Sequence, residues 1–248
     1  MSAPEAARRA DVFLVEKGFA ASRAEAQAAI EAGGVTADGT VLTKSSQMLS
    51  AGAAVTYRKA HPFVSRGALK LIAALDHFNL SPEGRVCLDI GASTGGFTEV
   101  LLQRGAAKVF AIDVGHGQLH ARLARDSRVI NHEGINARSL SSQQITQPPG
   151  AIVADVSFIG LKLVLPPALA LAASGAFLVA LVKPQFEVGR DHVGRGGLVR
   201  DGETQESAVD DIQRWLGGQS GWRVLGRIDS PIQGGDGNRE FLLAAAKT

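Results

Sequence analysis

Four charged residues far apart in the chain, Lys70, Asp155, Lys183 and Glu240, each sit beside or within an element that a folded sheet would gather at one edge. Asp155 follows the apolar run Ala151-Ile152-Val153-Ala154, and Lys183 follows the run from Phe177 to Val182. Glu240 opens the last apolar run, and Lys70 lies five residues into a helical pattern that starts at Ser65. In open α/β sheets, binding and catalytic groups collect at the carboxyl ends of strands, where strand order reverses. Two lysines and two acids at such an edge suit removal of a proton from a ribose 2'-hydroxyl attacking a methyl sulfonium. A lysine acts as base only if its pKa falls from about 10.4, which desolvation and a neighbouring cation favour. Lys183, with Lys70 close by, fits that role. Asp155 and Glu240 would hold the ammonium groups by charge-assisted hydrogen bonds, and would also oppose the depression. The sequence leaves that balance open, and alignment of hydroxyl and methyl could supply much of the acceleration instead. For each of the four taken singly, a surface ion pair is the weaker alternative, and it weakens further when the four are taken together.

A binding turn accompanies them. Val86-Cys87-Leu88-Asp89-Ile90 reads as a buried strand running into Gly91-Ala92-Ser93-Thr94-Gly95-Gly96-Phe97-Thr98, a glycine-rich turn that opens a helix. The glycines admit a ligand close to the backbone, and the helix start offers unpaired N–H groups. The spacing differs from the dinucleotide fingerprint G-x-G-x-x-G. Asp89 would repel a pyrophosphate but suits a ligand amine, and Asp113, closing the next apolar run, stands where such folds bind ribose hydroxyls. Together Asp89, Gly91, Ala92, Ser93, Gly95, Gly96, Phe97, Asp113, Val114 and Asp155 outline an S-adenosylmethionine site. A turn that serves packing alone is the competing reading.

The elements that must position these groups follow from the pattern. Strands are expected near 86–90, 108–112, 128–131, 151–154 and 177–182, with helices near 65–78, 96–104, 119–125, 162–173 and 203–217. The tail, Arg223 to Ile228 and Glu240 to Ala246 joined through Gly234-Gly235-Asp236-Gly237, reads as an antiparallel hairpin. Alternating strand and helix predict an α/β fold with a doubly wound, largely parallel sheet. With 248 residues there is room for a second, smaller domain. The apolar and charged fractions, 45% and 20%, are those of an ordinary globular protein. Net charge is only +2, so the placement of basic residues matters more than their sum. The single cysteine, Cys87, excludes a disulfide framework and has nothing nearby to activate it. The absence of a signal-peptide pattern or a long apolar span predicts a cytoplasmic protein with no membrane partner.

Residues 8–57 form a separate α+β pattern: helices over 10–17 and from Ser22, a hairpin turning at Asp38-Gly39, and a strand over 53–57. The phrase Ser22-Arg23-x-x-Ala26-x-x-x-Ile30-x-x-Gly33-x-Val35-x-x-Asp38-Gly39 resembles the alpha-L RNA-binding motif of a small-subunit ribosomal protein, tyrosyl-tRNA synthetases and pseudouridine synthases. That resemblance implies phosphate contacts from Arg9, Arg23 and Lys44. Gln27 stands where a base is common, and Ala10 replaces the usual leucine of R-L-D; a protein-docking unit with solvated charges is the alternative. Residues 58–64 read as a short basic linker, in which His61 is solvated.

The order Lys70, Asp155, Lys183, Glu240 matches the K-D-K-E tetrad of FtsJ-like ribose 2'-O-methyltransferases. Val64-Ser65-Arg66-Gly67, the Asp89-to-Thr98 run, Asp113-Val114-Gly115 and Val182-Lys183-Pro184-Gln185-Phe186-Glu187 resemble the TlyA family, whose members are often labelled hemolysin A. The resemblance covers nearly the whole chain. It implies a class I (Rossmann-like) methyltransferase sheet ending in the antiparallel hairpin over 65–248. It also implies methylation of cytidine 2'-hydroxyls in ribosomal RNA, using S-adenosylmethionine without a metal; a monomer is expected. Asn136 matches a position facing the adenine, with a turn-forming asparagine as the alternative, and His116 replaces a common tyrosine. Arg66, Arg190, Arg195 and Arg200 are expected to grip RNA, the last three on a mobile glycine-rich loop over 189–201. His192 shows no metal-ligand spacing. Phe186 reads as core, with stacking on an extruded base as its functional alternative. Two other functions compete: a membrane-active hemolysin, and a non-catalytic assembly factor that binds ribosomal RNA.

Overall fold

The computed structural model describes residues 6–20, 22–234 and 237–248, with only the backbone of Arg190. The chain divides into two compact units between Pro62 and Phe63.

The first unit contains β1 (Arg8–Arg9), α1 (Ala10–Glu16), α2 (Arg23–Glu31), β2 (Val35–Ala37), β3 (Thr40–Val41), β4 (Met48–Leu49) and β5 (Val55–Tyr57). The Ser22 hydroxyl accepts the Glu25 N–H at 3.2 Å and starts α2, as the Ser-x-x-Glu spacing requires. Asp38 and Gly39 both have positive φ, 49° and 80°, the geometry a two-residue hairpin needs for its strands to keep their twist. Strands β3, β2 and β5 form one sheet, and β1 pairs with β4 in a separate ladder. That ladder has no counterpart in the sequence reading, because two-residue strands leave no alternation to read. Phe13, Leu14, Ile30, Val35 and Leu42 fill the core.

The second unit contains α3 (Gly67–His77), β6 (Val86–Ile90), α4 (Gly96–Gln103), β7 (Lys108–Ile112), α5 (Ala121–Ala124), β8 (Val129–His132), β9 (Ala151–Ala154), α6 (Leu161–Leu171), β10 (Phe177–Val182), α7 (Pro184–Glu187), α8 (Gly202–Gly217), β11 (Trp222–Asp229) and β12 (Phe241–Lys247). Its seven strands lie in the order β11-β12-β10-β9-β6-β7-β8. Strands β6 to β10 run parallel, and β12 is antiparallel to both neighbours. The tail therefore does more than form a hairpin: its second strand inserts beside β10 and leaves β11 at the edge. Alternate side chains feed two cores. Leu88, Phe110, Ile152 and Leu178 point to one face, and Cys87, Val109, Val153 and Val179 to the other. Strand order reverses at β6, which lies between β7 and β9, so the cleft at the ends of these strands is where the fold places ligands.

The turn over 234–237 lies partly outside the described residues. Helix α5 is shorter than the expected 119–125, because Gln118 and Leu119 donate their N–H groups to Glu133 instead of entering the helix.

Candidate active site

Sheet register brings the four charged residues to one edge. Val182 pairs with Phe241, so Lys183, just past β10, and Glu240, just before β12, flank the same end of that antiparallel ladder. Asp155 leaves β9 with its N–H bonded to the Ile90 carbonyl at 2.9 Å. Helix α3 links the groups. A Cβ built on its first residue, Gly67, would lie 3.7 Å from Asp155 Oδ2, and Lys70, one turn on, pairs with Glu240 at 2.5 Å.

The four form two ion pairs of unequal exposure. Lys70 and Glu240 are both buried and line neither of the two cleft cavities. Lys183 Nζ stands 2.6 Å from Asp155 Oδ1 and donates to Ser157 Oγ at 2.9 Å, and these three residues line the smaller of two adjoining cavities. Asp155 Oδ1 receives charge from the ammonium without an aligned hydrogen bond. Each lysine therefore has an acid as its ion-pair partner.

The two cavities, about 160 Å³ and about 480 Å³, share Gly91, Ser93, Asp155 and Ser157 as walls. Gly91 makes the junction possible. Its φ is +81°, and a Cβ there would fall 2.4 Å from the Asp155 carbonyl oxygen. Ala92, Gly96 and Phe97 complete the wall of the smaller cavity, and Gly95 caps α4 in the left-handed conformation, φ +100°. Asp113, on the larger cavity, accepts the N–H groups of Ser93 and Gly115, each at 2.7 Å. Asn136 forms a turn and also lines a cavity. Its Oδ1 accepts the Arg138 N–H at 3.0 Å and caps a short 3-10 turn, while the residue lines the larger cavity. Val114 lines it too and is 72% exposed. His116 packs over Gly134.

Asp89 differs from the expectation of a direct ligand contact. It is fully buried, with Oδ2 accepting the Thr98 hydroxyl at 2.6 Å and Oδ1 without a hydrogen-bond partner. Burial pushes its carboxyl up to about 7, and the charges of Asp155 and Asp113 add to the rise. The folded chain thus holds a proton on Asp89 that the unfolded chain, with the ordinary value of 3.8, releases at lower pH. The stability from this group is present below about pH 4 and lost as pH rises through 7. The thermal midpoint should fall between pH 5 and 8, with a shallower slope in Asp89→Asn. An unchanged slope in that variant would assign the pH dependence elsewhere.

Several contributing residues escaped the sequence reading. Glu133 accepts N–H groups from Gly117, Gln118 and Leu119 and shapes the loop after Asp113. It follows β8 directly, and reading that strand as ending at 131 hid it from the strand-end rule. Phe158, three residues after Asp155, is 91% exposed on the rim of the larger cavity with φ +65°. Phe186, expected in the core, instead lies half-buried with its ring 5.1 Å from that of Phe158. The 189–201 loop is anchored at one end. Buried Asn238 staples its far half, accepting the Val199 N–H at 3.1 Å and donating to the Gly197 carbonyl at 3.0 Å. Arg195 and Arg200 are exposed on this loop, and the side chain of Arg190 lies outside the described residues. Arg66 is half-buried at the start of α3. Cys87 is inert, since burial pushes its thiol up to about 12.

In the first unit, fully buried Asp11 collects the basic residues. Arg9 donates to both of its oxygens at 3.1 and 3.2 Å, Arg23 reaches Oδ2 at 2.7 Å, and Gln27 reaches the same oxygen at 2.9 Å. Burial alone would push this carboxyl up, but these hydrogen bonds together hold it well below the usual range. The Ser45 carbonyl accepts the Asp11 N–H at 3.1 Å, which brings the exposed Lys44 turn alongside. Gln27, which lacks a charge, therefore helps to orient its two neighbours.

Among the described residues no helix is long and apolar enough to cross a membrane, and no cluster of three metal-ligating side chains occurs. Residues 63–247 match the FtsJ-like methyltransferase family, and residues 8–55 match the S4 domain. The chain is 46% identical over 237 residues to the 16S/23S rRNA (cytidine-2'-O)-methyltransferase TlyA of Mycobacterium tuberculosis, covering 95% of this chain and 88% of that one. It is 38% identical over 236 residues to Hemolysin A of Brachyspira hyodysenteriae, covering 94% and 98%. A solved structure from Streptococcus thermophilus, provisionally described as a hemolysin, aligns over 100% of this chain and 90% of its own with TM-score 0.77 and 40% identity. A glycine-turn cleft at the switch point of a seven-stranded sheet, a lysine–acid edge and these matches lead to one assignment: the chain belongs to the TlyA family, joining an S4 domain to an FtsJ-like methyltransferase domain.

Proposed function

We propose that this protein methylates the 2'-hydroxyl of cytidine ribose in ribosomal RNA, with S-adenosylmethionine as donor. The observation that carries the proposal is Lys183, held at the wall of the smaller cavity by Asp155 at 2.6 Å and Ser157 at 2.9 Å.

The cleft suits that donor. Gly91, Ala92, Ser93, Gly96 and Phe97 would hold its methionine end, with Gly95 shaping the turn, the negative charge of Asp155 close by and Asp89 buried in β6 with Oδ1 lacking a hydrogen-bond partner. Asp113 would take ribose hydroxyls, and Val114 and Asn136 would border the base. When bound, the donor supplies a methyl group on a sulfonium sulfur. The chain's own part is to orient the hydroxyl and handle its proton. Lys183, after releasing its own proton to solvent, would accept that proton through the free Nζ lone pair and return to the ammonium form. Asp155 and Ser157 fix its position, and Asp155 stabilises the ammonium that results. Lys70 and Glu240, a buried ion pair, would tie helix α3 to the start of β12 beside this edge.

Arg9, Arg23 and Lys44 would contact RNA phosphates from the S4 domain, and Arg66, Arg190, Arg195 and Arg200 from beside the catalytic edge. An aromatic ring left 91% exposed at the cleft rim is suited to support the target base once it leaves its stack. The reading is of a single chain acting in the cytoplasm, with no membrane partner.

Purified protein incubated with methyl-labelled S-adenosylmethionine and ribosomal subunits should place label in 2'-O-methylcytidine after digestion of the RNA to nucleosides. Label on a base, or none above a no-enzyme control, would refute the proposal.

A further inference from the structure

The turn from Asp155 to Gly160 carries the Lys183 partners and the exposed ring, yet its own contacts explain its shape poorly. Phe158 has φ +65°, a region a bulky residue occupies only where its surroundings over-determine it. Burial of its own ring cannot be the cause, since that ring is 91% exposed. Helix α6, which follows, starts at Gly160 with no side chain of its own to cap it.

The missing cap is supplied from another element, which also reaches the Phe158 ring. Two consecutive residues of α7 grip this turn. The Phe186 ring lies 5.1 Å from that of Phe158, and Glu187 Oε1 accepts the Leu161 N–H at 2.9 Å, capping α6 from 26 residues away. A Cβ built on Gly160 would lie 3.0 Å from Glu187 Oε2, so the carboxyl also fits against the turn's backbone. A helix N-terminus favours such a group. Burial works against its charge and pushes the carboxyl up to about 7, with Lys162 lowering and Asp211 raising it. Ionised or neutral, it keeps an oxygen able to accept the Leu161 N–H. Helix α7 begins directly after Lys183, so one short stretch carries both the lysine and the clamp on its partner turn.

We infer that Glu187 is a positioning residue: by capping α6 it holds the Asp155–Gly160 turn so that Ser157 meets Lys183 and Phe158 projects from the cleft rim. The inference rests on the proposed ribose methylation and deepens it.

The test measures kcat and KM for methyl transfer to ribosomal subunits, beside thermal unfolding, in Glu187→Ala, Glu187→Gln and Phe158→Ala. Glu187→Ala should lower kcat at least tenfold at a temperature where the variant is folded. Glu187→Gln should recover most of it, because the amide oxygen still accepts the Leu161 N–H. If Glu187→Ala is too unstable, Glu187→Asp, one methylene short of Leu161, carries the same comparison. A folded Glu187→Ala with unchanged kcat, or a Glu187→Gln as slow as the alanine variant, would overturn the inference. Full activity in Phe158→Ala with a slow Glu187→Ala would retire the base-support reading of Phe158 and leave the clamp acting through Ser157. Absence of methyl transfer by the unsubstituted protein would instead refute the proposed function.

Discussion

Lys183→Ala should lower the rate of methyl transfer to ribosomal RNA by about 10² to 10⁴-fold, the usual contribution of a positioned acid or base. S-adenosylmethionine affinity should stay within a few-fold, because the glycine turn and Asp113 are untouched. Truncation leaves Asp155 without its cation at 2.6 Å, but Asp155 lines the cavity, so water can solvate it and the fold should survive. Lys183→Arg sharpens the comparison. A guanidinium keeps the ion pair with Asp155 yet does not give up its proton at accessible pH. If Lys183 works only by charge or packing, the arginine variant keeps most of the activity; if it must accept a proton, both variants are slow. Single-turnover rates with equilibrium binding of the donor separate these cases, and an arginine variant at the unsubstituted rate would remove Lys183 as the base.

The second large effect concerns the first unit. Arg9 and Arg23 both bind Asp11, which is fully buried. Changing both to alanine would strand that carboxylate and cost stability for a reason unrelated to RNA. Arg9→Gln combined with Arg23→Gln avoids this, since the amides still donate to Asp11 while two positive charges disappear. Affinity for ribosomal RNA should fall about tenfold or more near physiological salt, and the slope of log affinity against log salt should shrink by about 1.5, two contacts at about 0.7 to 0.9 each. Donor affinity should not change. An unaltered salt slope would mean that these arginines serve Asp11 and not phosphate.

How much was legible in the sequence follows from the range of each signal. Strands β6, β7, β9 and β10 were readable to the residue because each is a short, mostly apolar run ended by a charge or a glycine. The Ser22 cap and the Asp38-Gly39 turn were readable because their chemistry is complete within four residues. The β1–β4 ladder, the Glu133 brace and the Asn238 staple were not, since each joins segments at least 14 residues apart through only a few hydrogen bonds. Phe186 was misplaced for a related reason: an aromatic next to a buried strand reads as core, and only the position of Phe158 shows where its ring goes.

The residue types and their local order thus determined the sheet, the glycine turn and which four charged groups reach its edge. Tertiary structure decided how those four divide. Register sets Lys183 with Asp155 and Ser157 on the cavity wall, and the placement of α3 pairs Lys70 with Glu240 largely out of contact with solvent. Pairing of charges depends on distances of a few ångströms between segments up to 170 residues apart, and a one-dimensional pattern carries no such distances.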